Sequence, residues 1–243
     1  MTYTLIDLLS LLIVIAGIVV QTRIGIGFAL LSAPLLYLID ENYLPGPILI
    51  LGFCLSLLIV CVEKHTLSIK SVLPAILARF PGSWAGVILL AYLPQWLLGL
   101  VIGLSLLLAA ALSVAVRAIA YNKVNLIVAG FFSGLSGTVT SIGGPIMALV
   151  YQTQPPVYAR SALVSFFLIG TPVSILLLMH SGSIQLAGYL LCLKMLPGVG
   201  IGFLMAKFLP LGLLSSVKNT ILVLSVLSAI FIIGRSVSVY LQQ

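Results

Sequence analysis

Three cations stand inside long apolar runs of this chain: Arg23, Arg79 and Lys194. The four carboxylates, Asp7, Asp40, Glu41 and Glu63, all lie nearer the ends of such runs, so no counter-charge is expected at matching depth. A cation at the centre of a bilayer costs about 2.5–3.5 kcal/mol even on a lenient scale. The missing negative charge is most simply a bound anion. Arginine can grip a carboxylate or sulfonate through two parallel hydrogen bonds, whereas lysine acts as a point charge. A second set of residues fits the same chemistry. Gly25 and Gly27 fall in GIVVQTRIGIGFALLSAP (17–34), and Gly143 and Gly144 in GFFSGLSGTVTSIGGPIMALVYQ (130–152) together with Thr138, Thr140 and Ser141. Glycines let a helix break and a ligand approach the backbone, and the N–H groups at a broken helix end attract anions. Each residue also has a plainer use. The cations can bond to carbonyls freed at Pro74, Pro81 or Pro197 or reach toward an interface, and the hydroxyls can bond back to their own helix.

Of the 243 residues, 62% are hydrophobic and 6% charged, against roughly 25% charged in a soluble domain. The chain therefore reads as an all-α, multi-pass membrane protein. Its apolar runs, about 17–25 residues each, are long enough to span a bilayer. The N-terminal MTYTLIDLLSLL has no Lys or Arg before its apolar run and carries Asp7 within it, unlike a cleaved signal peptide. Cys54, Cys61 and Cys192 lack metal-ligand spacing, and no metal or other cofactor is expected. The net charge of +7 speaks to orientation in the membrane and not to nucleic acid. His65 and His180 read as loop histidines.

The elements that must position these residues form a repeat. Segments 4–39, 48–62, 69–93 and 96–116 are followed by 124–151, 161–179, 184–209 and 211–233, and the first of each set is broken. A shift of 116 residues lays Pro81-Gly82, Gly86 and Leu93-Pro94 on Pro197-Gly198, Gly202 and Leu209-Pro210, and Ile26-Gly27 on Ile142-Gly143. Residues 1–120 and 121–243 are thus expected to be two repeats of one integral transport domain. If each broken segment is a hairpin of two short helices, one face collects Lys64, Lys70, Arg117, Lys123, Arg160, Lys207 and Lys218, and the other only Arg235. If each is a single crossing, the charges divide far less cleanly. The positive-inside rule favours the hairpins, which makes the repeats inverted and puts both termini outside the cytoplasm. Paired broken helices in inverted repeats mark a transporter with its site near the midplane.

GIGFALLSAPLL (25–36) and GLSGTVTSIGGPIMALV (134–150) resemble the paired glycine motifs of the TauE/SafE family, the sulfite exporters. The resemblance extends over essentially the whole chain, with Phe28 where a further glycine is common and Pro145 in the second motif. It implies transport of sulfite, sulfonates or related small anions across the inner membrane. The leading expectation is a secondary transporter using alternating access, with Arg79, Lys194, Arg23 and the glycine breaks as its substrate site. No G-x-x-x-x-G-K-[ST] is present, so ATP hydrolysis is not its power source. Proton coupling, potential-driven export and uptake of another small organic anion stand open, as does a non-transporting subunit role. No nucleophile–base pair points to an enzyme. The oligomeric state is not legible.

Overall fold

A computed structural model describes residues 3–63, 67–115, 119–208 and 211–241. Lys64, His65, Arg117, Leu209 and Pro210, invoked above, lie outside the described residues, as does the side chain of Lys218. The all-α reading holds, with helices and no strand among the described residues. In order they are α1 (Leu5–Ile24), α2 (Phe28–Ile39), α3 (Gly46–Glu63), α4 (Ile69–Tyr92) and α5 (Gln95–Ala115). Then follow α6 (Lys123–Thr140), α7 (Gly144–Tyr151), α8 (Pro156–His180), α9 (Leu186–Phe208) and α10 (Leu211–Tyr240). Seven of them, α1, α3, α4, α5, α8, α9 and α10, are long and apolar enough to cross a membrane. Large apolar side chains such as Leu77, Trp84, Leu176, Leu204 and Phe231 lie exposed on the bundle surface. In water such a surface drives association; against lipid tails it is the expected exterior.

Local chemistry sets the helix ends. α1 starts in a capping box, in which Asp7 N–H donates to Thr4 Oγ1 (3.2 Å) and Thr4 N–H donates to Asp7 Oδ2 (2.9 Å). It stops at Gly25, whose φ of +90° lies in the left-handed region that glycine adopts without strain. Gly27, at φ +129°, completes the reversal. The chain then returns along α1 as α2, and Ser32 Oγ donates to the Ile13 carbonyl (3.2 Å). α6 stops at Ser141, also left-handed at φ +64°, and α7 folds back so that Ser133 Oγ donates to the Gly143 carbonyl (2.8 Å). Ile24 and Phe28 bound the first break, and Thr140 and Gly144 bound the second. The two breaks therefore keep the 116-residue offset read from the sequence.

The hairpins are not both pairs of short helices. α1, with 20 residues, is about 30 Å long, a full crossing, whereas α7, with 8 residues, reaches only about 12 Å. Nothing in 5–24 interrupts the first arm before the Gly25–Gly27 pair, while Gly143, Gly144 and the Thr153–Pro156 turn bracket α7 closely. The packing is reciprocal: α4 lies along α6 and α9 along α1, α4 meets α8 and α9 meets α3, and α5 pairs with α10. The shifted glycines occupy matching seams. A Cβ on Gly86 would lie 2.9 Å from the Leu135 carbonyl oxygen, and one on Gly202 2.9 Å from that of Ile15.

Candidate functional site

Arg79 lies ten residues along α4 and is 1% exposed. Its slot is cut from small residues of two neighbouring helices. A Cβ on Gly134 of α6 would lie 2.9 Å from Arg79 Cγ, and a Cβ on Gly170 of α8 would lie 2.5 Å from its Cδ. The guanidinium faces the Phe166 ring at 4.8 Å and the Phe167 ring at 5.7 Å, a favourable setting for a cation with few water contacts. Nη2 donates to Thr171 Oγ1 (3.3 Å), while Nε and Nη1 find no hydrogen-bond acceptor among the described residues. Two orphan donors on a buried charge are costly. The carbonyls freed by Pro74 and Pro81 are not where Arg79 donates.

Thr171 and Phe167 also line a small central cavity, and both helix breaks open onto it. Ile26, Gly27, Phe28 and Ala29 come from the first break, and Ser141, Gly144 and Pro145 from the second. The breaks touch: a Cβ on Gly144 would sit 3.6 Å from both Ile26 Cγ2 and Phe167 Cζ. The N-terminal ends of α2 and α7 therefore bring their partial positive charges to one place. They are dressed differently. Gln21 Oε1 accepts from Phe28 N–H (3.2 Å) at the start of α2. Gly137 stands 116 residues after Gln21, and α7 begins with no side-chain cap. The cavity offers about 40 Å³ of water-accessible space, room for roughly three water-sized groups.

The other expected site residues divide between shaping the breaks and lying elsewhere. Thr140 Oγ1 donates to the Ser136 carbonyl (2.9 Å) and accepts from Ile142 N–H (3.3 Å), so it braces the break. Ser141 Oγ donates to the Pro45 carbonyl (2.8 Å), tying the second break to the α2–α3 turn. Thr138 is fully buried against α4, and its hydroxyl finds no partner among the described residues. Gly25 backs onto Arg160, not onto the cavity.

Two cations are placed apart from Arg79. Lys194 Nζ donates to Asp7 Oδ2 at 2.9 Å, which corrects the expectation that no carboxylate stands at its depth. α9 and α1 run parallel and staggered, so the first turn of α1 meets the third turn of α9. Arg23 donates through Nη2 to the Lys207 carbonyl (3.0 Å) in a separate pocket. Sequence reasoning missed Thr171 and Phe167; the Gly170-Thr171-Pro172 interruption in the middle of α8 was the available signal. It also missed the Glu63–Arg160 pair, joined at 2.8 and 3.1 Å.

A multi-pass helical bundle in which two helix breaks converge beside a buried, under-partnered cation has the build of a membrane transporter. The chain belongs to the sulfite exporter TauE/SafE family, whose model matches residues 9–234; this is a family of transporters and not of enzymes. Comparison with curated proteins and with solved structures gave no match.

Proposed function

We propose that this protein exports sulfite, or a close oxyanion relative, by alternating access about the cavity where the two breaks meet. The observation that carries this reading is Arg79, a fully buried guanidinium whose Nε and Nη1 lack acceptors among the described residues, bonded to a threonine that lines that cavity. An oxyanion there takes hydrogen bonds from Thr171 and from the N–H groups at the start of α7, with the charge of Arg79 directly behind. The water-accessible space, about 40 Å³, suits the four heavy atoms of sulfite better than a longer sulfonate. Family membership supports a small sulfur oxyanion as the cargo. A membrane potential positive outside favours export of an anion by about 2.3 kcal/mol per charge per 100 mV. Ser141, Gly143, Gly144, Gly27 and Thr140 give the breaks their shape. Asp7 already neutralises Lys194, which leaves Arg79 as the central cation.

The two inverted repeats, 1–120 and 121–243, are part of this reading. They are supported by the common offset of the breaks and by the reciprocal packing of α4 on α6 and α9 on α1. Exchange of conformation between the repeats then moves the cavity's opening from one face to the other.

The test is a thermal-shift panel on the purified chain with sulfite, sulfate, thiosulfate, taurine, isethionate and sulfoacetate. Arg79→Met keeps the volume and removes the buried charge, a change that folded proteins commonly tolerate. Wild type is expected to be stabilised by sulfite, and Arg79→Met to fold with that response gone. An undiminished response in Arg79→Met refutes the site.

A further inference from the structure

At the opposite side of the first break from the central cavity lies a second pocket of about 260 Å³, lined by Thr22, Arg23, Glu63, Arg160, Ala206 and Lys207. Three cations and one carboxylate surround it, so its lining carries a net positive charge. The ends of four helices supply them: the C-terminal ends of α1, α3 and α9 and the second turn of α8. Arg160 is the hub. Nη1 and Nη2 hold the two oxygens of Glu63, and Nε donates to the Thr22 carbonyl (2.9 Å) at the end of α1. Its stem packs on the first break, since a Cβ on Gly25 would lie 3.4 Å from Arg160 Cγ. The next residue, Ile26, lines the central cavity. Gly25 thus stands between Arg160 and the residue, Ile26, that lines the central cavity.

Resting on the reading of the chain as an oxyanion transporter, we infer that this pocket is a second anion site, at which the cargo docks before it reaches the centre. It does so by taking the place of Glu63 on Arg160. The fork of an arginine accepts two oxygens of a sulfur oxyanion in the same bidentate geometry as a carboxylate. The pair is partly open to water, with side chains 19% and 25% exposed, so exchange does not require charges to be stripped of solvent together. Lys207 and Arg23 add attraction at short range, within a Debye length of about 8 Å at physiological salt. Once Glu63 is displaced, the end of α3 loses its tie to α8 and to the α1 break. Arrival of the cargo thereby loosens the contact that closes this side. Glu63 is the built-in competitor: it holds the gate when no anion is present and is expelled when one arrives.

The experiment is sulfite transport by the full chain in liposomes, read as KM and kcat with the anion presented to the face that bears Arg160. Lys207→Gln is expected to raise KM about 3-fold, the size of one nearby charge in a watery pocket, with a smaller effect on kcat. Glu63→Gln removes the competitor and is expected to lower KM, and Glu63→Gln combined with Arg160→Gln is expected to lose that gain. KM unchanged in both Lys207→Gln and Glu63→Gln, while wild type transports, overturns this inference and leaves the central site standing. A Glu63→Gln gain that persists without Arg160 overturns it as well. Wild type that moves no sulfur oxyanion overturns the transport reading and this inference with it.

Discussion

Under the 116-residue shift Arg79 and Lys194 fall one position apart, yet the protein treats them in opposite ways. Lys194 is spent on Asp7 at 2.9 Å, and Arg79 Nε and Nη1 meet no acceptor among the described residues. A partly buried pair is sensitive to loss of one partner, because the other charge is then left alone. Asp7→Asn is expected to lower the melting temperature in detergent. It breaks the capping box of α1 only in part, since the amide oxygen can still accept from Thr4. Asp7→Asn with Lys194→Met is expected to regain most of the loss; a double variant no better than the single one shows that the pair is not what Asp7 stabilises. The buried state of Arg79 was legible because a lone arginine precedes a Pro-Gly pair deep in an apolar run. The partner of Lys194 was not. Asp7 lies 187 residues away in sequence, and only the stagger of two parallel helices brings them level.

At the scale of elements, glycine placement decides which helices touch. The α4–α6 seam is the tightest in the bundle, and a Cβ on Gly82 would fall inside the van der Waals shell of the Phe131 carbonyl oxygen. Backbone cannot yield as a flexible side chain does, so Gly82→Ala is expected to destabilise by about 1–3 kcal/mol. Gly200 of α9 has open space where its Cβ would go. Gly200→Ala is therefore expected to be neutral or to stabilise by up to about 1 kcal/mol, through helix propensity alone. Thermal unfolding of both variants checks the contrast, and equal effects contradict the seam as described. Gly82 also carried the 116-residue offset read in the sequence, and both breaks fall where the motifs place them. Arm length was not visible. Alanine, leucine and valine all continue a helix within an apolar run, so composition alone does not separate a full-length α1 from an eight-residue α7. The α8 wall of the cavity was hidden for a related reason, since a phenylalanine and a threonine in an apolar span read as ordinary packing.

At the scale of the whole molecule, two opposite ends gather different charge. One pocket joins Arg23, Arg160 and Lys207 with Glu63. The other, of about 340 Å³, joins Glu41 and Pro45 of the α2–α3 turn with Leu90, Leu98 and the Ser183–Gln185 turn. The hydrogen bond from Ser141 to the Pro45 carbonyl places the second break next to this pocket, just as Gly25 places the first break next to the cationic one. The two breaks thus approach opposite pockets, and the cavity beside Arg79 lies between them. Three cations and one carboxylate line the first pocket, whereas at the other end Glu41 stands near Arg235; in the proposed reading this difference in charge suits loading from the cationic side. Positive charge marks the cytoplasmic face of membrane proteins, so loading from that side means export. Cysteine labelling tests the orientation directly. Gly46 is unsuitable as a probe, because its Cβ would run into Ile184 at 2.7 Å. Ser183 and Asn122 are exposed; Ser183 shares a pocket with Pro45, to which Ser141 at the end of α6 is bonded, and Asn122 caps the start of α6. In a chain with Cys54, Cys61 and Cys192 replaced by serine, Ser183→Cys is expected to react with an impermeant maleimide on intact cells. Asn122→Cys is expected to react only after the membrane is opened. The reverse pattern puts the cationic pocket outside and makes the same path an uptake route. Labelling of both sites on intact cells removes the inverted repeats, because a re-entrant α6–α7 hairpin followed by the single crossing of α8 puts Asn122 and Ser183 on opposite faces.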